Sequence, residues 1–461
     1  MSAVLNNVSI ETDTRAALRF VTCGSVDDGK STLIGRLLVD SKTVLQDQLA
    51  GVQRGGQTDL ALLTDGLQAE REQGITIDVA YRYFNTAARK FIIADAPGHE
   101  QYTRNMVTAA SSSDAAVVLV DATKLNWQAT LPELLPQTRR HSLLVNLLRV
   151  PSIVFAINKL DAVDDPALAF ANISAALKQF ANNAGIAIHN IVPISALIGF
   201  NVVDQKPGWC NYNGRSLLQI LEQLSSTPAD VQQPFALPVQ WVEKPAPTFG
   251  TSVSSLPPEG AVPPKGGLSA ERLSTNNNDT SQGRRIFWGR IASGIAQPGV
   301  EVTVMPSGKT AKIAQVLSHT RQPKNVAANH SAGIILDREL DVSRGDWILA
   351  TDDANPNPGT KEILATIAWM DDEPLIAGRI YWALHGHRWV KVKVKRIVSH
   401  ININTLESHD ASQLDANAIG VVELALLEPI AAVPYKQSRS LGALILVDTA
   451  SHKTSGAALV L

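Results

Sequence analysis

Gly24-Ser25-Val26-Asp27-Asp28-Gly29-Lys30-Ser31-Thr32 follows the apolar run Leu18–Cys23 and opens a stretch, Ser31–Val39, whose apolar residues recur at helical spacing. Its first eight residues fit G-x-x-x-x-G-K-[ST], placed between a strand and a helix as that pattern requires. Glycines let successive backbone N–H groups turn onto phosphate oxygens, and the helix N-terminus adds positive potential. Lys30 then reaches the β- and γ-phosphates, and the Ser31 hydroxyl is a ligand for Mg²⁺. Gly24 to Thr32 are therefore the expected phosphate contacts of a nucleoside triphosphate whose base this stretch does not choose. Gly308-Lys309-Thr310 copies the tail of the pattern, but Thr303 stands where the first glycine belongs, and the segment reads as a hairpin.

Three more strand-then-loop units follow. Phe91–Ala94 runs into Asp95-Ala96-Pro97-Gly98-His99, which puts a carboxylate at the strand end for a Mg²⁺ water and a glycine N–H beside the γ-phosphate. Ile153–Ile157 leads into Asn158-Lys159-Leu160-Asp161, and Ile191–Ile194 into Ser195-Ala196-Leu197. A carboxylate with two acceptor oxygens suits the N1–H and exocyclic amine of guanine, and a purine without those donors leaves it unpaired. Each string alone is an ordinary Asp/Asn turn. Their order, each behind its own strand and alternating with helical segments such as Ala167–Ala184, predicts a parallel α/β sheet with its ligand at the strands' C-terminal ends.

The whole chain has 461 residues, enough for about three domains. Its 41 Lys and Arg against 43 Asp and Glu leave a net charge of −2, so no basic excess draws it to nucleic acid or an anionic membrane. With 45% hydrophobic residues and two cysteines it reads as a globular protein of a reducing compartment. Met1 to Arg15 has neither a basic nor a long apolar region, and Glu423 and Glu428 interrupt the longest apolar stretch, which predicts a cytoplasmic chain with no membrane span. Beyond Pro234 the pattern changes to short apolar runs parted by turns: Leu237–Val242, Val300–Met305, Ile313–Leu317, Gly333–Leu336 and Trp347–Leu349, then Glu362–Met370, Arg379–Leu384, Trp389–Val398 and Gly420–Ala425. The expected architecture is an α/β nucleotide domain over 1–228, an antiparallel β-barrel over 229–355 and a second over 356–461. A Pro, Gly, Ser and Asn-rich insertion at 246–284 is expected to be mobile.

The four loops together resemble the P-loop, switch II, NKxD and SAx elements of GTPases, and Glu72-Gln73-Gly74-Ile75-Thr76-Ile77-Asp78 resembles switch I of the translation-factor class. The resemblance implies an elongation-factor-like fold that binds GTP or GDP with Mg²⁺. It makes Thr76 a ligand of Mg²⁺ beside Ser31 and Asp95, and gives catalytic roles to Lys30, Thr76, Gly98 and His99, with His99 orienting the attacking water. Longer strings, Ala69-Glu70-Arg71-Glu72-Gln73-Gly74-Ile75-Thr76-Ile77-Asp78-Val79-Ala80-Tyr81 and Gly98-His99-Glu100-Gln101-Tyr102-Thr103-Arg104-Asn105-Met106, with Thr138-Arg139-Arg140-His141, are similar to the GTPase subunits of bacterial ATP sulfurylases. That family implies a heterodimer with a small catalytic subunit that makes adenylyl sulfate and pyrophosphate from ATP and sulfate. Without a second P-loop, an adenylyl-sulfate kinase activity is not expected. A ribosome-acting translation GTPase shares every nucleotide contact and is the alternative.

Several residues depart from the family pattern: Ala96 stands for the usual threonine, Phe200 for an acidic residue, and Leu125–Gln137 is lengthened. Lys391, Lys393 and Lys395 alternate with valines, which reads as a solvated strand face more than as a nucleic-acid surface. His385-Gly386-His387 reads as a hairpin turn, since two ligands across a glycine make no metal site. Cys23 reads as a buried packing residue.

Overall fold

The computed structural model describes residues 17–41, 60, 78–99, 102–227, 230–244, 284–318, 325–351, 359–402 and 405–461, with the backbone alone of 53–54 and 57–58. Thr76, most of the switch I string and the insertion up to 283 lie outside the described residues. The chain divides into two compact units, Met1–Pro228 with Ala368–Leu375 and Val398–Gly420, and Ala229–Ile367 with Ile376–Ile397 and Val421–Leu461.

In the first unit the strands β1 (Leu18–Cys23), β2 (Ala80–Asn85), β3 (Lys90–Asp95), β4 (Ala115–Asp121), β5 (Ser152–Asn158) and β6 (Ile188–Pro193) form one sheet in the order β2-β3-β1-β4-β5-β6. Only β2 runs antiparallel to its neighbour. Every residue of β4 and of β5 is buried, as continuous apolar runs in a sheet covered on both faces must be. The helices α1 (Lys30–Asp40), α2 (Thr103–Ser111), α3 (Pro136–Leu147), α4 (Pro166–Ala184) and α5 (Leu217–Gln223) lie between or after these strands. Their ends are written in the sequence. Asp165 caps α4 by accepting the Leu168 N–H at 3.0 Å, Pro166 fills its first turn, and Gly185 closes it with a φ of 64°.

The second part of the chain is antiparallel, as its turn-punctuated runs require. β7 (Ala236–Pro238), β8 (Trp241–Glu243), β9 (Ile286–Arg290), β10 (Glu301–Met305), β11 (Lys309–Leu317), β12 (Ser331–Leu336) and β13 (Trp347–Ala350) form a seven-stranded sheet in the order β8-β9-β12-β11-β10-β13-β7. Gly308 lies in the turn between β10 and β11, so Gly308-Lys309-Thr310 is a hairpin. The run Leu237–Val242, expected as one strand, is two. Leu237 pairs with Ile348, while Val242 pairs with Phe287 on the opposite edge, and Val239 and Gln240 carry the chain across by donating to Asp346 O and Trp288 O at 2.8 Å each.

β14 (Thr360–Trp369), β15 (Ile380–His385), β16 (Arg388–Ile401), β17 (Ile419–Ile430), β18 (Ala443–Asp448) and β19 (Thr454–Val460) follow in the order β15-β18-β19-β14-β17-β16, and pairing of β15 with β16 closes the barrel. Val390, Val392 and Val394 point inward, and Lys391, Lys393 and Lys395 outward. Lys395 meets Glu362 at 3.1 Å and Arg396 meets Glu423 at 2.9 Å, as on a solvated face. His385-Gly386-His387 forms the β15–β16 turn, and its imidazoles diverge. His385 faces Leu441 O at 2.9 Å, and His387 contacts Gln240 Nε2 at 3.0 Å.

His385 is buried, 5.2 Å ring to ring from Trp347, and burial pushes its pKa down to about 4 from 6.5. Below pH 6.5 the unfolded chain takes up a proton that the folded chain refuses, so this site's contribution is whole above 6.5 and falls toward pH 4. The loss is on the order of 3 kcal/mol at about 1.4 kcal/mol per pH unit. Urea unfolding at pH 7 and pH 5 should show a smaller acid-induced drop for His385→Gln than for the wild-type chain. An equal drop in both would assign it to other groups.

Candidate functional site

β1, β3, β4, β5 and β6 end on one edge of the sheet, and the loops that leave them hold the residues marked out by the sequence. Register sets this up: Thr22 pairs with Asp95, and Asp121 with Asn158. Gly29 caps α1 with a φ of 91°, and a side chain there would collide with Asn158 Nδ2, so glycine is required twice over. Lys30 is 7% exposed, and its ammonium donates to Gly24 O at 3.2 Å and Ser25 O at 2.7 Å. Burial lowers its pKa, opposed by Asp28 and Asp95. The Ser25 hydroxyl is buried with no hydrogen-bond partner among the described residues. A desolvated ammonium held by backbone carbonyls alongside an orphan hydroxyl is a donor set that fits a phosphate.

Asp95 Oδ1 accepts from Thr22 Oγ1 at 3.2 Å, and Ala96 is fully buried with its N–H on Thr22 O at 3.3 Å. Pro97 and Gly98 are buried behind it. A Cβ on Gly98 would press on the Lys30 amine and lie 2.9 Å from Gly24 O, so the P-loop and switch II meet where only glycine fits. His99 is exposed, with its ring 6.2 Å from Tyr102. Ser31 and Thr32, in the first turn of α1, are half-buried, as is Val26, while Asp27 is exposed.

Asn158 joins three loops. Its Nδ2 donates to Asp28 O at 2.8 Å and its Oδ1 accepts the Ala196 N–H at 2.9 Å. Lys159 takes a left-handed φ of 60° and donates to Asp27 O at 2.6 Å. Asp161 is exposed in the short turn Leu160–Ala162, free to meet a base. Ser195 is fully buried and its Oγ accepts the Ile198 N–H at 3.1 Å. The Leu197 side chain is 68% exposed, and its carbonyl receives Arg36. Thus the P-loop, switch II, NKxD and SAx residues share one edge, while Thr76 lies outside the described residues.

Some contacts escape a motif reading, including the one His141 makes although it ends the family-like string Thr138–His141. His141 on α3 is buried, and its Nδ1 accepts the Gly24 N–H at 3.1 Å. Burial, then Lys30 and Arg140, pushes its pKa down to about 3, which keeps the ring neutral and able to accept. From the first turn of the same helix Gln137 donates to Gly98 O at 3.3 Å. Lys124, three residues past the end of β4, reaches the P-loop from the other side, and Asp121 at the strand's end pairs with Lys124 and Lys159. Asp121 had one visible signal, its place at the end of a strand, which it shares with Asp95. Phe200 packs edge-to-face on Trp209 at 5.2 Å with Lys206 over its ring, which accounts for an aromatic side chain at that position. Cys23 is buried and its thiol is pushed up to about 12, so it is unreactive.

No helix among the described residues is long and apolar enough to cross a membrane. Residues 15–227 match the family described as Elongation factor Tu GTP binding domain, which supports guanine-nucleotide binding, and residues 362–461 match GTP-eEF1A C-terminal domain-like. Sulfate adenylyltransferase subunit 1 of Laribacter hongkongensis is 40% identical over 97% of this chain and 86% of its own length. The bifunctional enzyme CysN/CysC of Xylella fastidiosa is 42% identical over 95% of this chain, which spans 65% of that longer protein. A crystal structure of sup35 with GDP aligns over 99% of this chain and 97% of its own, at 19% identity and a TM-score of 0.40. With an elongation-factor-type GTP-binding domain and 40% identity along nearly its whole length, the chain belongs to the sulfate adenylyltransferase subunit 1 family.

Proposed function

We propose that the chain is the GTP-hydrolysing subunit of a cytoplasmic sulfate adenylyltransferase. It couples GTP hydrolysis to the formation of adenylyl sulfate and pyrophosphate from ATP and sulfate on a small catalytic partner subunit, with which it forms a heterodimer. Residues 1–228 serve as the GTPase domain, and 229–355 and 356–461 as the two barrels. Family membership supports the choice of reaction, and one observation carries the GTPase half: the buried Lys30 ammonium lies where Gly98 closes on the P-loop.

In this reading Lys30 offsets charge on the β- and γ-phosphates, and the Gly98 N–H reports the γ-phosphate. His99 orients the attacking water, and Asp161 reads the guanine edge between Lys159 and the Ser195-Ala196-Leu197 turn. Mg²⁺, held by Ser31, Thr76 and Asp95, supplies further neutralisation of phosphate charge when bound. Asp95 suits this role because Thr22 already orients one of its oxygens.

The test is GTP turnover by the full chain alone, with the small sulfurylase subunit plus ATP and sulfate, and with ribosomes. Acceleration by the sulfurylase subunit and its substrates is the expected result. Acceleration by ribosomes alone would move the chain to translation.

A further inference from the structure

Three consecutive P-loop carbonyls are gripped from outside the loop. Lys124 Nζ donates to Val26 O, Lys159 Nζ to Asp27 O at 2.6 Å, and Asn158 Nδ2 to Asp28 O at 2.8 Å. In a trans peptide the C=O and the following N–H point opposite ways. Holding these carbonyls outward turns the next N–H groups, those of Asp27 and Gly29 among them, toward the side where a phosphate binds. Among the described residues the Asp28 N–H makes only a long 3.4 Å contact, with Ser25 O. Lys159 and Asn158 belong to the base-reading motif, whereas Lys124 belongs to no motif.

Lys124 has a second task that neither of the others shares. Asp28 places a carboxylate inside the phosphate loop with its side chain fully buried, and its Oδ2 closes the loop by accepting the Ser25 N–H at 2.6 Å. An unpaired carboxylate there would oppose the phosphates it helps to shape. Lys124 Nζ lies 3.2 Å from Asp28 Oδ1 and 3.9 Å from Asp121 Oδ2, and Asp121 in turn holds Lys159 at 2.7 Å. Two lysines and two fully buried carboxylates thus form a neutral clasp along one side of the loop. The Lys124 side chain is 34% exposed and the carboxylates not at all, which separates this group from a surface ion pair. Burial raises the Asp28 pKa, and Lys30 and then Lys124 pull it back, as a carboxylate dependent on its cations requires.

We propose that Lys124 is a positioning residue of the nucleotide site: it holds the Val26 carbonyl outward and neutralises Asp28, so that the P-loop keeps its bound guanine nucleotide. This rests on the guanine-nucleotide reading of the site. Lys124 touches no reacting atom, so its loss acts on retention of nucleotide and leaves the bond-breaking step alone.

The test is release of a fluorescent GDP from the full chain in Mg²⁺, followed by stopped flow. Lys124→Met should speed release about tenfold, raising KM for GTP with kcat little changed, as loss of one partner of a desolvated pair acts mainly on dissociation. Lys124→Arg, which keeps the charge, should return the rate to within about twofold of wild type. In an Asp28→Asn background Lys124→Met should matter less, because the carboxylate it neutralises is gone. Unchanged release in Lys124→Met, equal effects of Met and Arg, or an undiminished effect beside Asp28→Asn would overturn the clasp while leaving the GTPase reading standing. A wild-type chain that binds no GDP would overturn both.

Discussion

Asp161→Asn is expected to cut GTP affinity by about a hundredfold or more and to bring in xanthosine triphosphate as a ligand, because an amide donates where the carboxylate only accepts. Guanine offers N1–H and an exocyclic amine, and a carboxylate satisfies both. Asparagine keeps one acceptor and adds a donor, the match for a base with N1–H beside a carbonyl. Asp161 is exposed in a short turn, so the exchange leaves the core untouched. Competition of GTP and xanthosine triphosphate against a fluorescent GDP measures the change. Unchanged GTP affinity would remove Asp161 from base reading and leave the P-loop assignments standing.

His99→Ala should lower GTP hydrolysis by about two orders of magnitude or more while GTP affinity stays within a few-fold, the behaviour of a group that positions the attacking water. The structure favours such a separation. His99 follows the buried Gly98 but is itself exposed, resting beside Tyr102 at 6.2 Å, so its removal opens no cavity in the phosphate cradle. Single-turnover hydrolysis with GTP prebound separates the two quantities. Equal losses of binding and turnover would make His99 a structural residue of switch II.

Much of this site was legible because each of its parts is local. A strand followed within a few residues by glycine, lysine, aspartate or asparagine is a pattern a single segment carries, and Leu18–Cys23 with Gly24–Ser31 shows it plainly. The parallel sheet was legible for the same reason: runs as apolar as β4 and β5 have no solvent face to alternate with. What escaped depends on long-range pairing. His141 reaches Gly24 across 117 residues and Lys124 reaches Asp28 across 96, and neither spacing has a sequence signature. The crossing at Val239 and Gln240 escaped as well, since the apolar-leaning run Leu237–Val242, despite Pro238 and Gln240 within it, reads as one strand and not as a strand that changes partners. In the barrel the alternating valines and lysines of β16 told the inner face from the outer one directly, because period two admits one assignment.

The claim that GTP hydrolysis at this site drives adenylyl transfer is tested most directly by mixing the full chain with the small sulfurylase subunit of the same genome. ATP- and sulfate-dependent pyrophosphate release would then be followed with GTP, with a non-hydrolysable GTP analogue and without either. The account predicts strong stimulation by GTP, far weaker stimulation by the analogue, and adenylyl sulfate formed in step with the GTP consumed. Pyrophosphate release that is indifferent to GTP, or equally raised by the analogue, would contradict it.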